Sequence, residues 1–200
     1  MRHTILLLLI GLNSYGQQPT GRNNFIEAKI LYDSASSVIS QFQDNKRAIE
    51  LLEEATRIDS NYFKAFARKF DLQIQLKQFD RAIVTGEKII RLKPEMPLFQ
   101  VLIGALYEKK LDSTIARKYY EGAAICFDKL LDTMNTSNRD YQMLVNMKAL
   151  NLVFVGQREK AIGFIKEICK EQKDEYCQIL LTSFETKSRK EMIDEIFDAY

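Results

Sequence analysis

The chain has 200 residues, of which 46% are hydrophobic, and a formal net charge of +2 at pH 7. This length fits one domain or one short solenoid, and the interspersed charges exclude the one-sided basic stripe typical of nucleic-acid binders. The only histidine, His3, lies in a segment that we expect to be removed. The remaining chain then lacks the commonest general base and the commonest zinc ligand, which argues against an enzyme.

The first sixteen residues have the pattern of a secretory signal peptide. Arg2 supplies a positive start, residues 5–10 form an unbroken apolar run, and small residues stand at Ser14 and Gly16. We expect cleavage near Gly16-Gln17 and export to the periplasm or the cell exterior. A buried helix or an uncleaved anchor is the alternative, although the run is far shorter than the ~20 residues that span a bilayer. Residues 17–24 are polar and predict a disordered tail.

Helical periodicity continues from residue 25 to the end, with no convincing strand pattern. Ala48, Ala82 and Ala116 are spaced 34 residues apart in similar local strings, and Ala161 follows 45 residues later, so that eleven residues are inserted. A fixed period of this length predicts stacked pairs of helices that bury their apolar faces against their neighbours. The predicted units are approximately residues 29–62, 63–96, 97–130 and 142–175, with an insertion at 131–141.

The insertion and the C-terminus depart from this period. The second helix of the third unit stays helix-compatible from Ser113 to about Asp132, and the polar stretch that follows it to residue 140 predicts a loop. This insertion is either a tolerated surface feature or an arm that a partner grips. Residues 176–200 predict a degenerate capping helix pair, and Ser188 and Glu191 form a capping box at its second helix.

Three units in register carry a resemblance to a known family. The unit length, the helix–turn–helix form, the recurrent alanine and Pro94 at a unit end resemble the tetratricopeptide repeat from Lys29 to about Asp174. The tryptophan frequent in that family is missing. The resemblance implies an all-α fold, a right-handed α-solenoid of antiparallel helix pairs. It also implies that the first helix of each unit lines a concave groove that holds a peptide or a helix.

The resemblance assigns candidate protein-binding residues to that groove. Asp33 and Ser37 stand where the family's carboxylate-clamping subset has Lys and Asn, so we do not expect that clamp. The groove becomes more apolar toward the C-terminus, which suits an amphipathic helix; alternatively, the C-terminal helix folds back and covers it. The candidates are Lys64, Ala67, Asp71, Ile74, Leu98, Val101, Ala105, Glu108, Met143, Asn146, Leu150 and Val153.

The three cysteines, Cys126, Cys169 and Cys177, leave two readings open. Cys169 and Cys177 lie near the facing ends of consecutive helices, where a disulfide could form in an oxidising compartment. Alternatively, all three are small apolar core residues. We expect no metal site and no cofactor, because the cysteines are scattered and no phosphate-binding, dinucleotide-binding or nucleophile-elbow motif is present.

Together these patterns predict an exported, non-catalytic scaffold that binds a protein or peptide through a concave groove in the periplasm or cell envelope. The partner and the oligomeric state are not predicted. No nucleic-acid partner is expected, and no membrane span after cleavage. The alternative is a structural subunit of an envelope assembly that associates through its long helix and C-terminal pair.

Overall fold

The computed structural model describes residues 21–135, 140–170 and 175–198, excepting the side chains of residues 175 and 176. The predicted signal peptide, its cleavage point, the first part of the predicted tail and residues 136–139 of the predicted loop lie outside the described residues. Within those ranges the chain forms ten helices and no strand. The predicted all-α fold is therefore confirmed.

The helices follow one another with short connections. Their bounds are α1 Arg22–Phe42, α2 Asn45–Ile58, α3 Phe63–Gln75, α4 Phe79–Leu92, α5 Pro97–Lys109, α6 Ser113–Thr133, α7 Tyr141–Phe154, α8 Arg158–Cys169, α9 Glu175–Thr186 and α10 Arg189–Asp198.

The described chain divides into two compact units. Unit 1 ends at Pro94 and contains α1 to α4, and unit 2 extends from Glu95 to Asp198 and contains α5 to α10. Within unit 1, α1 packs on α2, α2 on α3 and α3 on α4. Within unit 2, consecutive helices from α5 to α9 pack on one another. Each unit is therefore built from adjacent helix pairs, as a helical repeat requires.

The recurrent alanines lie where two helices approach closely. Ala48, Ala82, Ala116 and Ala161 are all completely buried, and they occupy the second helix of each pair. A methyl side chain leaves the backbones room to come together, and any larger group would force them apart. The spacing that predicted the repeat therefore marks fully buried positions in its second helices.

The turn within each helix pair repeats as well. One residue per turn adopts the left-handed conformation, with φ of 52° at Gln43, 56° at Lys77, 63° at Leu111 and 82° at Gly156. These positions have the same spacing as the alanines. In the last three turns the next amide donates to the carbonyl five residues before it, at 2.8–3.0 Å. This is the Schellman motif that satisfies carbonyls at a helix end.

Two predicted boundaries differ from the structure. Helix α1 begins at Arg22, so Arg22–Asn24, expected in the disordered tail, form its first turn. Its N-cap, Gly21, provides no side-chain hydrogen bond, which is why no start signal was visible there. The predicted insertion is also partly helical, because α6 continues to Thr133 and α7 begins at Tyr141.

The C-terminal segment contains two helices, α9 and α10, where the sequence predicts a capping pair. Helix α9 packs on α8, whereas α10 packs on α7 and reaches α5 through side-chain contacts. The capping box is present: the Ser188 amide donates to Glu191 Oε2 at 2.7 Å, and the Glu191 amide donates to Ser188 Oγ at 3.2 Å. The box starts a new helix that turns back over the earlier part of unit 2.

Candidate protein-binding faces

In unit 1 the candidate face belongs to α1 and α3. Lys64 is exposed, as are Asp33 and Ser37 on α1. Ala67, Asp71 and Ile74, in contrast, are buried, so the expectation that the groove exposes them is wrong. The accessible part of this face is therefore polar.

Asp71 is buried because neighbouring polar groups in unit 1 hold its carboxylate. Asp71 is only 2% exposed. Its Oδ2 atom accepts hydrogen bonds from Arg68 Nη1 at 3.1 Å and from Gln75 Nε2 at 3.3 Å. Asn45 of α2 donates in turn to Gln75 Oε1 at 3.1 Å. Burial raises the pKa of Asp71 to about 6, and the charge and hydrogen bond of Arg68 oppose that rise. Loss of water outweighs the neighbouring cation here.

In unit 2 the candidate face belongs to α5 and α7. Leu98, Val101, Ala105 and Val153 are buried rather than open to a partner, which corrects the expectation of an open groove there. The other candidates in this unit are half-buried; they are Glu108, Met143, Asn146 and Leu150.

Helix α10 lies on this α5–α7 face. Arg189 bonds to Glu108 of α5 through Nε to Oε1 at 2.7 Å and Nη2 to Oε2 at 2.9 Å. Lys109 of α5 donates to Asp194 Oδ1 at 2.8 Å, and its ammonium lies 5.3 Å above the centre of the Phe197 ring. The sequence left open whether the C-terminal helix packs back onto this face, and in unit 2 α10 contacts Glu108 and Lys109 at the C-terminal end of α5.

Glu108 connects the face to the core of unit 2. The phenol of Tyr120 donates to Glu108 Oε2 at 2.9 Å. Burial raises the pKa of Tyr120, and the Glu108 carboxylate adds to that effect, so the phenol remains a donor. The guanidinium carbon of Arg189 lies 5.9 Å from the ring centres of both Tyr120 and Phe154. A planar cation that bonds bidentately and stacks on aromatic rings gives a directional contact that lysine could not reproduce.

The Arg189 contact was not predicted from the sequence. A capping box and an apolar stripe predicted a helix at the C-terminus, but helical periodicity is local and does not say which surface the helix covers. The pattern Arg189-Lys190 followed by Met192-Ile193 is an amphipathic signal, and it could have directed attention to α10 as a ligand-like helix.

Two of the cysteines, Cys169 and Cys177, were predicted near facing helix ends, and the structure places them together. The Cα atoms of Cys169 and Cys177 lie 5.7 Å apart, within the range that a disulfide requires. This pair links the end of α8 to α9. Cys126 takes no part in it; its half-buried sulfur lies 3.7 Å from Gln100 Nε2.

A cleft of about 270 Å³ lies between α6 and α7 in unit 2. Its charged rim is paired, with Arg117 bonded to Glu121 and Lys148 bonded to Asp128, each at 2.8 Å. The Asn151 amide anchors its base by donating to the Tyr120 carbonyl at 2.9 Å. The lining residues are Arg117, Glu121, Ala124, Asp128, Lys148, Asn151, Leu152, Val155 and Gln157.

Metal-ligating side chains are not clustered in the part of the chain that the structure describes. In that part, no group of three or more His, Cys, Asp or Glu side chains is arranged to hold a metal ion. No helix within the same described ranges has both the length and the apolar character needed to cross a membrane.

The fold is that of tetratricopeptide-like helical repeats. No protein-family profile and no curated protein sequence matches the chain, but solved structures do. The pilF protein of Pseudomonas aeruginosa is 18% identical with a TM-score of 0.55, and the match covers 80% of this chain and 67% of that one.

Two other solved structures are similar to a comparable degree. A thermophilic tetratricopeptide repeat protein of Thermus thermophilus is 17% identical with a TM-score of 0.52, and the match covers 78% of this chain and 80% of that one. YrrB, described as a tetratricopeptide repeat protein with an unusual peptide-binding site, is 15% identical with a TM-score of 0.52, and the match covers 89% of this chain and 88% of that one. At these identities the likeness establishes the fold alone.

Proposed function

We propose that this protein is a non-catalytic scaffold that binds a protein or peptide in the periplasm or cell envelope after export. The observation that carries this proposal is the α5–α7 face of unit 2, on which an amphipathic helix already lies. A face that holds one helix in this way has the chemistry of helix-in-groove recognition. The peptide-binding site named for the similar fold of YrrB supports the same class of function.

The accessible first-helix surface of unit 1 adds a polar contact region. Asp33 on α1 and Lys64 on α3 are exposed, and charged groups at the edge of an interface guide association and set specificity. We propose that these side chains contact the partner, and that Cys169 and Cys177 form a disulfide in the oxidising compartment that export would reach.

Affinity capture with charge reversals tests the scaffold proposal. The bait is the chain from Gln17, compared with an Asp33→Lys/Lys64→Glu variant. The control carries Arg47→Glu/Glu50→Arg on α2, which reverses an exposed ion pair of 2.6 Å on another helix. We expect a protein that the wild type and the control retain and that the face variant loses by at least about tenfold.

The competing function, a structural subunit of an envelope assembly, has its own observation. The long helix α6 exposes 61% of Ile125, and α9 exposes 43% of Ile179. Equal retention of a partner by all three baits would contradict the first-helix face as the contact region. Loss of that partner from an Ile125→Lys bait would then favour the structural subunit.

A further inference from the structure

We propose that the α5–α7 face of unit 2 is a helix-binding site that α10 occupies in the unliganded protein, and that the amphipathic helix of a partner displaces α10 from it. The proposal rests on the proposed scaffold function and names the chemistry of the ligand. It also makes α10 an internal competitor, so that binding depends on its release.

Side-chain contacts hold α10 on the face. The Arg189–Glu108 pair fixes its first turn, and the Lys109–Asp194 pair fixes its middle. Its apolar side is buried and consists of Met192, Ile193, Ile196 and Phe197. This is the arrangement of a bound amphipathic peptide, with apolar anchors in the centre and charged pairs at the edges.

Helix α9 is held by a separate set of contacts. The Cys169–Cys177 pair ties it to α8, Arg158 donates to the Phe184 carbonyl, and Lys166 pairs with Glu185 at 3.3 Å. Only residues 187 and 188 connect α9 to α10. Release of α10 therefore leaves α9 in place, and such local opening is the kind that requires the least disruption of a fold.

The sequence of α10 specifies the helix that can replace it. An arginine at the first position satisfies both oxygens of Glu108, which lysine cannot do in the same bidentate geometry. Apolar side chains follow at the fourth, fifth, eighth and ninth positions, and an acid at the sixth faces Lys109. We therefore assign the ligand as an amphipathic helix of this pattern in another protein.

A peptide with the sequence of residues 187–198, carrying a fluorophore, tests this assignment by anisotropy against the full-length protein. In the wild type, α10 competes at the high effective concentration that a short linker gives. In an Ile193→Asp/Ile196→Asp variant, α10 loses its apolar anchors and leaves the site open. We expect the peptide to bind this variant at least about tenfold more tightly than it binds the wild type.

Two controls match this experiment. An Asp198→Asn variant changes only an exposed position of α10, so it should bind the peptide as weakly as the wild type. A peptide that itself carries Ile193→Asp and Ile196→Asp should bind none of the proteins. Absence of peptide binding to the anchor-free variant, when circular dichroism shows that its helices are intact, overturns the proposal.

Hydrogen exchange on the wild type gives a second test that does not depend on the variant folding. We expect the amides of α10 to exchange at least about tenfold faster than those of α5 and α7, and faster still with saturating peptide, while α9 keeps its protection. Protection of α10 equal to that of α5, unchanged by peptide, overturns the proposal. So does a dimer, seen by sedimentation, that exchanges α10 between two copies, since a second copy would then be the occupant.

The peptide-binding experiment and the capture experiment test different parts of the protein, so a negative result in one does not imply a negative result in the other. Peptide binding uses purified protein and the α5–α7 face, whereas capture reads out Asp33 and Lys64 in unit 1. Peptide binding without capture removes the proposed contact region of unit 1 but keeps the helix site. Capture without peptide binding keeps the scaffold function and removes displacement of α10.

Discussion

The two units treat the faces of their first helices in opposite ways. In unit 1 the face is polar, with Asp33 and Lys64 exposed and a carboxylate, Asp71, buried among hydrogen-bond donors. In unit 2 the face is apolar: every residue of α5 from Pro97 to Leu106 is buried, and α10 lies across the α5–α7 face.

This difference shows how one repeat can build two kinds of surface. The polar face of unit 1 can remain in water, because its exposed side chains are hydrated. The apolar face of unit 2 carries α10, whose own apolar side chains Met192, Ile193, Ile196 and Phe197 are buried, and large exposed apolar patches are rare on proteins that do not use them for binding. A first-helix face in this repeat therefore needs an additional covering helix, such as α10, only where the face is apolar.

The largest expected effect concerns the buried carboxylate of unit 1. Because the folded pKa of Asp71 is raised to about 6 from 3.8, the folded state binds the proton more tightly than the unfolded state does. The stability that this proton contributes is present below pH ~4 and is lost as pH rises to ~6. The loss amounts to about 3 kcal/mol, at 1.36 kcal/mol per pKa unit.

Urea unfolding followed by circular dichroism between pH 3.5 and 7.5 measures this loss. The Asp71→Asn variant supplies the reference, since it keeps the shape and removes the titration, so the other carboxylates cancel in the difference. If the stability of the wild type has the same pH dependence as that of Asp71→Asn, the Asp71 carboxylate is not desolvated in the folded protein.

The second effect concerns unit 2 alone. A disulfide between Cys169 and Cys177, separated by eight positions, would constrain the unfolded chain and stabilise the unit by about 2–3 kcal/mol in the chain-entropy description. We expect the double variant Cys169→Ser/Cys177→Ser to lower the free energy of unfolding by that amount, and the wild type under non-reducing conditions to show one reactive thiol.

The control for this change is Cys126→Ser, which should leave the difference between oxidised and reduced protein intact. Hydrogen exchange shows which helices the disulfide stabilises. Reduction should increase amide exchange in α8 and α9 and leave exchange in α1 to α4 of unit 1 unchanged. Three reactive thiols in the untreated wild type would show instead that all the cysteines are reduced.

The repeat and its buried alanines could be predicted from the sequence. Ala48, Ala82 and Ala116 recur with one period, and a period in the sequence reflects a geometry that each unit repeats. The departure at Ala161 was visible for the same reason, and all four are buried completely. Such patterns are local or periodic, and the fold class follows from them.

The burial of Asp71 and the individual contacts of α10 could not be predicted in the same way. An acid such as Asp71 is ordinarily assigned to solvent. Its partners Arg68 and Gln75 lie one turn away on the same helix, but only tertiary packing decides that this side of α3 is buried. The path of α10 depends on a bidentate contact between Arg189 and Glu108, 81 residues apart. Nothing in the local pattern of either residue indicates such a pairing.

The third expected effect concerns the close packing of Gly104 against Tyr120 in unit 2. A Cβ atom at Gly104 would lie 2.6 Å from Cε1 of Tyr120, and the Tyr120 phenol is bonded to Glu108. The ring cannot move without disturbing that bond, so we expect Gly104→Ala to destabilise the protein by about 2 kcal/mol, as overpacking does. Urea unfolding measures the change.

Gly163 provides the matched control in the same unit. It lies inside α8, and a Cβ there would meet nothing within 4 Å, so Gly163→Ala should raise stability by about 0.5–1 kcal/mol through helix propensity. If both glycine substitutions stabilise, the Tyr120 ring has room to shift, and the face that it supports is not rigidly positioned.

The smallest effect tests what the two units share rather than how they differ. Lys77 in unit 1 and Leu111 in unit 2 adopt the same left-handed conformation, which disfavours residues with a Cβ atom, and Leu111 is 93% exposed. Glycine at either position should stabilise the protein by about 0.5–1 kcal/mol, whereas Gly156→Ala, at the equivalent turn, should destabilise it by about 1–2 kcal/mol. Thermal unfolding of the three variants measures these changes. If glycine stabilises the protein at only one of Lys77 and Leu111, the two turns are not equivalent. Their shared backbone conformation would then not determine the effect of glycine on stability.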